Sequence, residues 1–157
     1  MFAQENKEEN SKYTRRIPCE KFIEELVQCK KSVYRLENAE IYGWSYQFVQ
    51  HYLKEKQYLV SAAIELDNCN LGEMELGYIV FEKSLNITNS VGSFSADNCV
   101  FNKRLFFESS ILTSFYLEQC QVDCGMMLNG TTVKSVAIKN SNFNSKGFDE
   151  DIELLKY

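Results

Sequence analysis

The sequence predicts an all-β solenoid: a right-handed quadrilateral parallel β-helix with an N-terminal α-helical cap. Three observations predict it. Apolar residues recur mostly every five positions between Ile64 and Phe143. Similar stretches of text recur every ten or eleven residues, alternately, with the clearest copies at Ile64-Glu-Leu-Asp-Asn-Cys-Asn-Leu71, Phe94-Ser-Ala-Asp-Asn-Cys-Val-Phe101 and Phe115-Tyr-Leu-Glu-Gln-Cys-Gln-Val122. A second inward-type residue sits two places before each repeat centre.

The centres form four groups: Leu66, Leu71, Leu76 and Phe81; Ile87, Gly92, Ala96 and Phe101; Phe107, Leu112, Leu117 and Val122; Leu128, Val133, Ile138 and Phe143. Gly92 is the exception, where the apolar residue is missing and the next step is four. A five-residue step turns about 500° around an α-helix, so such a helix would bury no single face. A flat strand of period two fails as well. A square coil fits: two residues of each pentad point inward and the chain turns a corner every five. Four pentads and one extra residue make a coil of about 21 residues, with coils stacked about 4.8 Å apart by parallel strand pairing. Asn38, Asn68, Asn89, Asn98 and Asn140 each sit two places after a centre, beside a corner. Asn tolerates the positive φ that a sharp corner demands.

These residues resemble the pentapeptide-repeat proteins. The resemblance rests on the inward centre, the small residue before it (Cys69, Ser90, Ser110, Thr131) and the five-residue step. It covers Ile64 to Phe143 and one early unit, Tyr34-Arg-Leu-Glu-Asn-Ala-Glu-Ile41; Ala96-Asp97-Asn98 comes nearest to the family's typical text. The extra residue per coil and the bulky residues on two faces depart from the family pattern. The resemblance implies a right-handed quadrilateral β-helix of a bacterial repeat protein, and by itself little about function. For some members it implies a shape and charge like duplex DNA and binding to a DNA topoisomerase.

Three segments are expected. Residues 1–16 are polar and charged and read as a disordered tail. Residues 17–147 read as one β-helix domain that includes a capping helix over 18–30. Pro18 suits its first turn, and Phe22, Ile23, Leu26 and Val27 share one face. Residues 148–157 read as a C-terminal cap segment, with Asp149 as a helix N-cap candidate and an acidic first turn. Between them, Tyr46 and Phe48 fit a continuing first coil, whereas Trp44, Phe48 and Tyr52 have helical spacing. The favoured reading is an incomplete first coil with an excursion around His51–Gln57.

Composition narrows the function. A single His, His51, rules out His-rich metal clusters and leaves one candidate for imidazole acid–base chemistry; it lies in a polar stretch with no readable partner and is read as a surface residue. A net charge of −5 argues against direct binding of nucleic acid by phosphate neutralisation. The six cysteines lack zinc-ligand spacing and read as buried thiols, with Cys99 and Cys120 stacked on adjacent coils within disulfide range. No cofactor and no metal site is expected. No run is long enough for a transmembrane helix, so a cytoplasmic protein is expected; Phe2-Ala3-Gln4 as the remnant of a secretory signal is the exported alternative.

No catalytic residues are predicted. Asp97, Glu118 and Lys139 fall in one outward column and read as a solvated charge ladder. The outward positions before the centres are Glu65, Asn86, Phe106 and Met127 on one face, and Glu75, Ser95, Tyr116 and Ala137 on the opposite one. Both faces turn apolar toward the C-terminus, so Phe106, Tyr116 and Met127 are the candidate interface residues. The expected function is a non-enzymatic interaction or scaffold module that binds a protein partner or a second copy of itself. A carbohydrate-active enzyme built on Glu108 or Glu118 near Tyr116 is a further alternative.

Overall fold

The structure, a computed structural model, describes residues 12–144. Strand β1 (Arg15–Pro18) leads into helix α1 (Cys19–Gln28). The first coil holds β2 (Val33–Glu37), β3 (Ala39–Tyr42), a helical excursion over 46–56 and β4 (Leu59–Val60). The second holds β5 (Ala63–Asp67), β6 (Asn70–Gly77) and β7 (Val80–Phe81). The third holds β8 (Leu85–Thr88), β9 (Val91–Asp97) and β10 (Val100–Phe101). The fourth holds β11 (Leu105–Glu108), β12 (Ile111–Glu118) and β13 (Gln121–Val122). The fifth holds β14 (Met126–Asn129), β15 (Thr132–Val133), β16 (Val136–Lys139) and β17 (Asn142–Phe143).

All strand pairs are parallel, as stacking of successive coils requires. The order β2-β5-β8-β11-β14 makes the first face and β4-β7-β10-β13-β17 the fourth. The third sheet bends at a corner, so its long strands β6, β9 and β12 serve two faces; in the last coil these separate as β15 and β16. The expected four-sided solenoid is thus the observed fold, with five coils where the repeat text alone marks four and one early unit.

The inward columns match the expected register. Leu66, Ile87, Phe107 and Leu128 stack in one, and Leu76, Ala96, Leu117 and Ile138 in the facing one. Phe81 and Phe101 stack face to face with ring centres 5.0 Å apart. Phe94 lies over Phe115 at 5.6 Å while both meet Phe107 edge-on. Among the described residues every buried side-chain nitrogen and oxygen has a hydrogen-bond partner. The small column explains how: the Ser90 hydroxyl accepts from the Cys69 amide at 3.0 Å and donates to the Thr88 carbonyl at 2.9 Å, and Ser110 repeats this one coil on. A buried hydroxyl is tolerated there because both its roles are filled.

The corners use left-handed backbone. Asn38, Asn68, Asn89, Asn98 and Asn140 have φ between 50° and 56°. Tyr78, Ser109 and Gln119 hold the same position and conformation without the Asn side chain that signals it.

Four expectations change. The polar tail gives way earlier than residue 16, because Arg15–Pro18 pairs with β3 as a strand. The cap helix is shorter than 18–30, running Cys19–Gln28, with Cys19, Phe22, Ile23 and Leu26 buried. It is pinned by Glu25, which pairs with Arg15 and accepts from the Tyr34 hydroxyl at 2.7 Å. Burial raises the pKa of Glu25, but these hydrogen bonds outweigh it and hold the carboxyl below its ordinary range. The excursion begins at Tyr46 and is helical throughout, so Phe48 belongs to the helix and not to a continuing coil. Trp44, Phe48 and Tyr52 form an aromatic row down it, as helical spacing allows. The Cys124 thiol is exposed and Cys29 half-buried, against the expectation that all six would be buried. The C-terminal cap expected over 148–157 lies outside the described residues.

Candidate functional site

Two features of the surface differ from a plain solvated solenoid. The first is a cleft of about 230 Å³ where the helical excursion leans over the third face. Tyr46, Val49 and Gln50 form its roof, and Leu76 and Ala96 its floor. The sequence places this cleft by inserting 46–56 where the other coils carry a third-face strand. Ser45 caps the start, its hydroxyl accepting from the Phe48 amide at 3.0 Å. Val49–Leu53 then widens into a π-type turn that buries Val49 and Leu53. Gly77 makes the close approach possible: a Cβ there would collide with Val49 Cγ1.

Glu75, Asp97 and Glu118 line the cleft, with Tyr116 at its edge. The column Asp97–Glu118–Lys139 is in register as expected. It is not simply solvated, however. Burial raises the pKa of Glu75, with Glu73 adding to it, and burial followed by Glu118 raises that of Asp97. The Asn98 amide donates to Asp97 at 2.8 Å and works against the rise. The Tyr116 hydroxyl donates to Glu118 at 2.5 Å, and Lys139 sits 5.8 Å from the Tyr116 ring centre. Tyr116 is therefore engaged with its neighbours and is not an open apolar contact. Among the described residues no three His, Cys, Asp or Glu side chains converge to hold a metal ion.

A carboxyl whose folded pKa is raised binds its proton more tightly folded than unfolded. Its charge costs stability at neutral pH, and the cost disappears as pH falls through the raised range. Asp97→Asn keeps an oxygen to accept from Asn98 and removes the charge. It should raise the melting temperature slightly at pH 7. Melting curves from pH 7 down to pH 4 should show this difference from wild type shrinking; a constant or growing difference would contradict the burial of Asp97.

The second feature is the first face. Phe106 and Met127 are direct neighbours on β11 and β14, half-buried and outward. Toward the N-terminal end the same column continues through Asn86 and Glu65 to Arg35, which pairs with Glu65 at 2.7 Å. Around the Ser109 corner, Ile111 is 57% exposed on the second face. Sequence reasoning brings Phe106 and Met127 together and places Tyr116 on the opposite face, and so does the structure. It misses Ile111, whose signal was its place directly before the inward Leu112. His51 is exposed, as expected. Among the described residues no helix is long and apolar enough to cross a membrane.

Comparison with protein-family models, with curated proteins and with solved structures found no match for this chain.

Proposed function

We propose that this chain is a non-enzymatic protein-interaction module, a rigid solenoid that docks a partner protein on its first face and around the adjoining corner. The observation that carries the reading is the in-register outward pair Phe106 and Met127, with Ile111 exposed beside it. Glu37, Asp67 and Glu108 flank this column on the same face, so a partner with an apolar centre and a basic rim fits it. The face is small. Five strands spaced about 4.8 Å apart and four residues wide give roughly 250 Å². A stable complex buries about 800 Å² per partner, so the contact has to turn the corner to reach Ile111. The resemblance to pentapeptide-repeat proteins is consistent with a scaffold and brings one alternative. Its DNA-mimic variant needs an unbroken acidic column, and the row Asp97–Glu118 leads in register to Lys139 instead.

Affinity capture with three proteins tests this. Wild type and Ser135→Lys, a change at the edge of the opposite face, should retain the same protein in fixed proportion, and Phe106→Lys should lose it. Equal recovery on Phe106→Lys would refute docking on this face.

A further inference from the structure

We propose that Cys99 and Cys120 form a reversible redox site, closing to a disulfide between adjacent coils when a small-molecule disulfide is in excess. The two residues stand in register, one position before the paired residues Val100 and Gln121. In-register parallel neighbours lie about 4.8 Å apart, inside the Cα range of disulfides. Both side chains point inward, and Cys99 is fully enclosed while Cys120 is 3% exposed. The Cys120 thiol donates to the Ala96 and Glu118 carbonyls at 3.3 and 3.4 Å, and the two cysteines interact electrostatically. Hydrogen bonding from Cys99 lowers the pKa of Cys120 against its burial, while burial and the same contact raise that of Cys99. Cys120 is the better attacking thiol of the two.

The wider pattern marks this pair as particular. The equivalent small column at the other corner runs Cys69, Ser90, Ser110 and Thr131, and its hydroxyls satisfy the backbone. Ser141 does the same below Cys120, accepting its amide at 3.1 Å. A serine would fill the packing role at Cys99 or Cys120, and among the described residues only here are two cysteines stacked on adjacent coils.

Access comes through the last of the described coils. Leu128, Val133, Ile138 and Phe143 of the fifth coil are only partly buried, whereas their counterparts in the fourth are fully buried. A solenoid opens most readily at its terminal coil. Opening that coil lifts Ser141 away and uncovers Cys120, with Cys99 still packed. The Cys120 thiolate attacks one sulfur of the small disulfide and releases one small thiol. Cys99 then displaces the second, forming the Cys99–Cys120 bond. The protein loses two protons and two electrons, and the small disulfide leaves as two thiols.

The test treats folded, reduced protein with oxidised glutathione, blocks remaining thiols after denaturation, and maps each cysteine by mass spectrometry. Cys99 and Cys120 should resist blocking together, joined in one cross-linked peptide pair, and the oxidised protein should melt at higher temperature than the reduced one. Exposed Cys124 reports that the oxidant works by taking up glutathione. Cys99→Ser should leave Cys120 as a mixed disulfide with glutathione, and Cys120→Ser should leave Cys99 free. Both serines match residues already tolerated in these columns, and a melting curve confirms that each variant folds. Free, blockable Cys99 and Cys120 beside a modified Cys124 would overturn the proposal. So would a cross-link that forms only in denaturant.

Discussion

Leu117→Asp should abolish cooperative unfolding. Leu117 is fully enclosed and stacks between Ala96 and Ile138 in an inward column. Losing a buried leucine costs about 2–5 kcal/mol, and an unpaired buried carboxylate costs several more. A domain of this size is stable by about 5–15 kcal/mol in total, so the sum reaches the whole margin. Circular dichroism on heating should show no sharp transition. A sharp one near the wild-type temperature would mean that residue 117 faces solvent.

Gly92→Ala should be among the most damaging single-methyl changes at the described residues. Gly92 has φ +126°, a conformation that other residues rarely adopt. Its missing Cβ would sit 2.7 Å from the Gly72 carbonyl oxygen and 3.0 Å from the Gly72 amide nitrogen. Both are backbone atoms of the neighbouring coil, so nothing soft can yield. Strain and overpacking together should cost about 3 kcal/mol, which lowers the melting point by about 6–12 °C. Gly77→Ala is the contrast. Its one collision is with the Val49 side chain, the Asp97 carbonyl standing off at 3.4 Å, so the excursion can shift, and its loss should be clearly smaller. Equal losses at the two positions would contradict the close approach of Gly72 and Gly92.

Gly92 also shows what the sequence makes legible. The third coil is one residue short, because two residues of β9 stand where three stand in β6 and β12. In the sequence this appears as a missing apolar centre and a step of four. The register is legible because each inward column repeats one requirement on every coil, so a lapse stands out against its neighbours. The Asn corners are legible for the same reason. Tyr78, Ser109 and Gln119 take the same left-handed backbone, and there only their place in the repeat signals it.

The excursion over 46–56 is legible only in part. Trp44, Phe48 and Tyr52 announce helical spacing, but the π-type turn and the cleft exist because Val49 settles on Gly77, some thirty residues later. No local pattern encodes that contact. It also explains why Asp97 and Glu118 read as solvated charges and are found beneath a helical roof. Ile111 escaped notice because the outward position beside a corner is apolar only in some coils.

The register that places Phe106 outward and Phe107 inward carries both the fold and the proposed docking face. Heating Phe106→Lys and Phe107→Lys side by side tests it most directly, since one step along β11 exchanges surface for core. Phe107 is fully buried against Phe94 and Phe115, and its lysine variant should lose the cooperative transition. Phe106→Lys should melt within a few degrees of wild type. Equal damage from both, or the reverse order, would contradict the solenoid register and the interface built on it.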